Sequence, residues 1–262
     1  MPFSICFQGD PEQRPFLSRI SSLKAGLELQ SFGRKGIQSQ QEWDYRLTLH
    51  REVIKIFQGP LAVHGPFTGM RFNHIDVLIN EAINKRMDMT YSMTSELKAT
   101  TVILHTGYSN LEKETEFDLL WLKQSVRFWK EEIKRWESKG IRISLENHIE
   151  RDPNLMIALV DEVKSSYLGL CFDIGHCNLF SSVLPADWIS KMGHRLFHVH
   201  LHDNDGTADQ HLPVGKGKIR FQPIFKALSA FSPNATLSLE AQIDMESKVN
   251  NLEYIINHYV NS

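Results

Sequence analysis

The sequence predicts a parallel eight-fold β/α barrel, and three observations carry that expectation. Short apolar, β-branched runs recur eight times, at roughly 3–8, 25–31, 60–65, 99–106, 141–147, 168–174, 196–203 and 236–241. Between them lie stretches such as EWDYRLTLHREVIKIF, HIDVLINEAINKRMDMTYSMTSELK and FDLLWLKQSVRFWKEEIKRW, with apolar residues at three- and four-residue intervals, as helices packed on a sheet require. The runs are too far apart for hairpins, so crossover helices and an all-parallel sheet follow. Eight units in 262 residues average about 33 residues each, which matches a closed ring of strands better than an open sheet.

Side-chain alternation supports closure. In IRISLE, Ile141, Ile143 and Leu145 share one face while Arg142, Ser144 and Glu146 share the other; TLSLE repeats this with Leu237 and Leu239 against Thr236, Ser238 and Glu240. In LGLCFD the small Gly169 and Cys171 accompany Asp173. In FHVHLH the same rule sends His198, His200 and His202 inward, against Phe197, Val199 and Leu201. Asp152-Pro153 reads as a helix start with a cap residue and Pro at the first position, Pro185-Ala186-Asp187 as another, and Gly140 as the stop after KRWESK. No Gly/Ser- or Pro-rich linker divides the chain, so residues 1–262 are expected to form one domain.

Composition narrows the function classes. Apolar content of 42%, charged content of 23% and a formal charge of −2 suit a globular protein with no global attraction to nucleic acid or anionic lipid. Cys6, Cys171 and Cys177 form no disulfide framework, which fits a reducing cytoplasm. MPFSICFQGD reads as a first strand rather than a signal peptide, and no run approaches the ~18 apolar residues of a membrane span. Trp121 and Trp129 are candidates for helix–barrel packing or for a homo-oligomer interface.

The chemistry lies where the runs end. His64, His105, Glu146, Asp173, His176, His200, Asp209, His211 and Glu240 are all ligand types for a divalent metal, and five of them close LAVH, VILH, ISLE, LCFD and LSLE directly. Any one histidine alone reads as a surface or hydrogen-bonded core residue, and a lone carboxylate ending a strand as a helix cap. Together they place a ligand type at the same end of six consecutive strands. Unpaired carboxylates in a barrel core would cost several kcal/mol unless a charge compensates them, and a bound cation does so economically. Mixed oxygen and nitrogen donors suit Zn, Mn, Fe or Co better than Ca or Mg. Zn or Mn is the expectation, at one to three ions per chain.

LENH (145–148), FDIGH (172–176), HLHDNDGTADQHLPVGKGKI (200–219) and LSLEA (237–241), in this order, resemble the xylose isomerase-like TIM barrels, which include sugar isomerases and epimerases and the endonuclease IV family. The resemblance implies a metal site of Glu146, Asp173, His200 and Glu240, as in the isomerase members. It also matches all nine residues above to the three-zinc ligand set of the nuclease members, with Phe67 as an aromatic near the substrate. D-I-G-H and H-L-H-D-N-D-G read like the isomerase branch, where nucleases typically show D-T-C-H and H-L-N-D-S. On that basis the expected activity is metal-dependent isomerisation or epimerisation of a small sugar or polyol through an enediolate. Glu146 and Glu240 would exchange protons on opposite faces and His176 would orient substrate or shuttle protons.

Glu28 is a candidate for binding substrate hydroxyls or for a buried ion pair with Arg142. Lys216, in VGKGK, is a candidate phosphate contact if the substrate is phosphorylated, set against a plain Gly turn. The alternative is a zinc phosphodiesterase at abasic DNA, using Arg34, Lys35, Arg71, Lys216, Lys218 and Arg220 as the basic surface.

Overall fold

The computed structural model describes residues 3–9, 14–34, 39–57, 59–67, 69–72, 74, 76–109 and 115–260. Eight strands close into a barrel in sequence order: β1 Ser4–Gly9, β2 Gly26–Leu29, β3 Leu61–His64, β4 Thr101–His105, β5 Arg142–Glu146, β6 Leu168–Asp173, β7 Leu196–Leu201 and β8 Thr236–Leu239. Each pairs in parallel with its neighbours, and β1 closes on β8 through Ser4↔Thr236 to Phe7↔Leu239. All eight expected strands are present. The connecting helices are α1 Arg14–Ser22, α2 Ser31–Arg34, α3 Gln40–Ile56, α4 Val77–Glu96, α5 Thr115–Glu137, α6 Asn154–Val163, α7 Ile174–Phe180, α8 Pro185–Met192, α9 Phe221–Phe231 and α10 Met245–Ile255. Among the described residues, none of them is long and apolar enough to cross a membrane.

Helix starts follow local chemistry. Ser39 accepts from the Glu42 amide, Asp76 from Leu78 and Ile79, and Asp244 from Ser247, each satisfying amides that the first turn leaves open. Pro185 opens α8 as expected. At Asp152-Pro153 the start is displaced by one residue: Pro153 occupies the cap position, and Asp152 Oδ1 accepts from the Asn154 amide at 2.8 Å. Gly140, at φ +68, turns the chain after α5.

Alternation divides the apolar residues in two. Val63, Val102, Leu104, Ile143, Leu145, Leu170, Phe172, Val199, Leu237 and Leu239 face the helices and join the large core, which also holds Trp121, Trp129, Trp136 and Trp188. Trp121 and Trp129 are 1% and 0% exposed, so they serve helix–barrel packing, not an exposed interface. Ala62, Ile103 and Cys171 form a separate small plug inside the ring. Above and beside this plug the interior is polar, with Gln8, Glu28, Ser144, His198, His200 and Ser238 all buried. One residue departs from the expected alternation. The β6–β7 register shifts between Leu170 and Cys171, and the Phe197 ring comes to lie against Gly169, where a Cβ would collide with it. Phe197 thus packs inward, with the Arg142 guanidinium 5.3 Å over its ring.

Candidate metal centre and active site

Because successive strands deliver inward residues at matched heights, the carboxyl-terminal rim gathers one polar cluster. Register pairs His105 with Glu146 and Asp173 with His200. Donor atoms of Glu146, Asp173, His200 and Glu240 all lie within 4.8 Å of one another, and all four residues are buried. His200 Nδ1 is their hub, 3.1 Å from Glu146 Oε1, 3.0 Å from Glu240 Oε2 and 3.7 Å from Asp173 Oδ2. Glu146 also meets His64 Nε2 at 2.8 Å and His105 Nε2 at 3.5 Å. A second group adjoins: His176 Nε2 lies 3.5 Å, and His211 Nε2 3.0 Å, from Asp209 Oδ2. His176 Nδ1 links the groups, 3.5 Å from Asp173 and 3.6 Å from Glu146. All nine residues singled out from the sequence therefore converge.

The donor set fits a cation. Asp173, the last residue of β6, uses Oδ1 to accept the His176 amide at 2.7 Å and so caps α7, while Oδ2 faces the cluster. Cap and candidate ligand are the same side chain. His64, His176 and His211 each turn Nδ1 to a backbone carbonyl, of Gly65, Asn147 and Glu240 at 3.0, 3.0 and 3.3 Å. That arrangement fixes the tautomer and aims Nε2 at the carboxylates, as metal-binding imidazoles are held. Glu240 Oε1 accepts from Gln30 Nε2 at 2.8 Å, whereas its buried Oε2 faces His200 Nδ1 at 3.0 Å.

Electrostatics agree. Burial on its own would raise the carboxyl pKa values, but His200 and its neighbouring imidazoles outweigh it and hold Glu146 and Asp173 well below the carboxylate range and Glu240 below it. In return the carboxylates overcome burial at His64 and His200, which are pushed up, and at His176, pushed up to about 10. Burial wins at His105, which falls to about 4. Imidazolium charge thus balances clustered carboxylates at a place where a divalent ion would supply the same compensation.

The cluster borders a cleft of about 270 Å³, lined by Phe67, His148, Gln30 and Gln242 and by every one of the nine residues except Asp173 and His200. Phe67 packs edge-on against His64, with ring centroids 4.2 Å apart, and stacks at 5.6 Å on His105. Four participants had been given no role in the sequence reading: Gln30, His148, His202 and Gln242. Each lies two residues beyond Glu28, Glu146, His200 or Glu240, so the two-residue period was the signal that pointed to them.

Two expected substrate contacts are placed elsewhere. Glu28 is fully buried below the cluster, accepting from Gln8 Nε2 at 3.1 Å and bonded to His198 Nε2 at 2.8 Å. It neither lines the cleft nor pairs with Arg142. Lys216 is exposed and borders a different groove, with Tyr254 and Asn250. The glycine-rich loop around it also offers no vacant amide nest: Gly215 and Gly217 donate to Asp203 Oδ2 and Ile219 to Asp203 Oδ1, at 3.1, 2.8 and 3.1 Å. Of the expected basic surface, Lys35 and the Arg34 side chain lie outside the described residues. Arg71 stacks over Phe117, and neither it nor Lys218 nor Arg220 lines the cleft.

Comparison with known proteins agrees with this architecture. The Xylose isomerase-like TIM barrel family matches residues 28–256. The protein MJ1311 of Methanocaldococcus jannaschii is 28% identical over 207 residues, covering 72% of this chain and 67% of that protein. Among solved structures, TTHB071 of Thermus thermophilus, soaked with ZnCl2, superposes with TM-score 0.78 at 22% identity, covering 97% of this chain and 98% of that one. A D-tagatose 3-epimerase-like protein does so with TM-score 0.77 at 23% identity, covering 99% and 97%. Barrel topology, the order of the rim residues and the extent of the family match converge on one assignment: this chain belongs to the Xylose isomerase-like TIM barrel family.

Proposed function

We propose that the protein is a divalent-metal-dependent isomerase or epimerase of a small sugar or polyol. The observation that carries this reading is the buried set Glu146, Asp173, His200 and Glu240, two of which, Glu146 and Glu240, line a small cleft. Those four residues would hold the ion, whose Lewis acidity polarises a carbonyl and an adjacent hydroxyl. The cleft volume falls below the ~300–1,000 Å³ of drug-sized sites, which suits a substrate of a few carbons. Similarity to a D-tagatose 3-epimerase-like protein supports the same substrate class.

Glu240 would take the proton from the carbon beside the carbonyl. Gln30 fixes one of its oxygens, and the other faces His200 Nδ1 at 3.0 Å, where an ion would sit. The electron pair left on carbon delocalises into the carbonyl. Glu146, resupplied by His64, would return a proton to the opposite face. His176 orients a hydroxyl, while Phe67 closes the wall above His64 against water.

Incubation of metal-loaded protein with a panel of ketoses and inososes in D2O should place deuterium next to the carbonyl. Glu240→Gln should abolish that exchange, and bound metal is to be measured in the same samples. A fully loaded protein that exchanges nothing across the panel overturns the reading. A second reading, a zinc phosphodiesterase, draws on the convergence of His64, His105, His176, Asp209 and His211 beside the four-residue set. Metal-dependent cleavage of an abasic duplex would favour it.

A further inference from the structure

We propose that His202 is a positioning residue for the metal centre, and that Gly175 exists to make room for it. This inference rests on the reading of Asp173 as a metal ligand. His202 follows His200 by two residues on the inward face just beyond β7, and it is fully buried. Its Nε2 meets both oxygens of Asp173, at 3.0 and 3.1 Å. An ionised carboxylate only accepts, so Nε2 carries the proton and donates. Nδ1 is buried with no hydrogen-bond partner among the described residues. The ring is clamped face to face on His211, with centroids 4.0 Å apart and planes 12° apart.

Asp173 needs such a hold. Its Oδ1 is committed to the His176 amide, and a carboxylate anchored at one oxygen can still rotate its other oxygen away from His200. A donor bridging both oxygens from the far side stops that rotation. Gly175 leaves the space that the His202 ring fills. A Cβ built there would fall within the imidazole, meeting Cε1, Nδ1 and Nε2 together. Neither partner can yield: Gly175 sits one residue from the His176 amide that caps on Asp173, and His202 is held by Asp173 and His211. The glycine of FDIGH and the second histidine of HLHD are thus two halves of one packing solution, although 27 positions separate them.

The measurement is zinc affinity, by competition with a chromophoric chelator, on wild type, Asp173→Asn, His202→Leu, His202→Gln, Gly175→Ala and the double variant Gly175→Ala/His202→Gln. Unfolding temperatures of the metal-free proteins, and Co(II) visible spectra of the loaded ones, are recorded alongside. Gln places an amide donor near the position of Nε2, so His202→Gln should bind zinc within about threefold of wild type. His202→Leu and Gly175→Ala should each lose about tenfold to a hundredfold, the range for removing a partner of a metal ligand, with altered Co(II) bands. The double variant should regain most of what Gly175→Ala loses, because the shorter, flexible Gln vacates the Cβ position. Should Leu at 202 bind as tightly as wild type while Asp173→Asn binds weakly, the positioning role is overturned and the ligand reading stands. Should Asp173→Asn itself bind as wild type, the ligand reading falls and takes this inference with it.

Discussion

His64 contacts acceptors with both ring nitrogens: Nε2 is 2.8 Å from Glu146 Oε2, and Nδ1 is 3.0 Å from the Gly65 carbonyl. A carbonyl and an ionised carboxylate can only accept, so both nitrogens carry protons in this arrangement. An ion taken up at Nε2 must displace one of them. Zinc titrations in buffers of different ionisation enthalpy should therefore show proton release, and affinity should fall as the pH is lowered. Uptake with no released proton at neutral pH would contradict the assignment.

Metal removal should also loosen the fold. An ion at about 100 times its dissociation constant stabilises by ~2.7 kcal/mol, which at 2–4 °C per kcal/mol for a chain of this size raises Tm by about 5–10 °C. Differential scanning calorimetry with zinc and with a chelator checks this, and identical transitions would count against a structural role for the cluster.

Glu28 offers a test of the interior beneath the centre. Burial by itself would raise its pKa, but His200 and His198 outweigh it and hold it well below the carboxylate range. Replacing it by Leu takes the carboxylate from buried His198 and from the Nε2 side of His200, whose Nδ1 keeps its own, and breaking a buried pair typically costs about 3–5 kcal/mol. Urea unfolding of Glu28→Leu should show roughly that loss, even though the substitution adds apolar volume to a barrel core.

Glu150 should behave in the opposite sense. Burial, the largest effect, raises its pKa despite hydrogen bonds from Thr106 and from the amides of His148 and Ile149 at 2.7 and 3.0 Å. The folded state then holds the Glu150 proton more tightly than the unfolded chain does. Its favourable contribution is complete below the unfolded value near ~4.3 and is lost as pH rises through the folded pKa. Glu150→Gln keeps acceptor and donor without ionising, so its stability relative to wild type should improve between pH 4 and pH 7. A constant difference across that range would refute the account.

Asp203 latches the 215–219 loop with its buried carboxylate. Asp203→Ala orphans several amides, each costing about 1–3 kcal/mol if left unsatisfied, and should lower Tm by several degrees. Wild type should show no protection of this loop by inorganic phosphate in hydrogen exchange, because Asp203 already fills the nest.

Read by itself, the sequence determined the barrel, the rim and the nine convergent residues. Parallel strands repeat every few tens of residues, and a two-residue period sends every second side chain inward. That local rule requires only the order of residues along each run. Its limits appear where a side chain's fate depends on a neighbour from another strand. Glu28 and Glu146 obey the same parity, yet one height difference across the ring separates a sealed ion pair from a cleft wall. Lys216 lies between two glycines suited to an anion, yet Asp203, twelve positions before Gly215, already fills the nest. Phe197 breaks alternation because β6 and β7 slip in register, and His202 matters because it fits the space above Gly175. Depth, register and mutual exclusion of volume are properties of the assembled ring, so only the tertiary structure decided them.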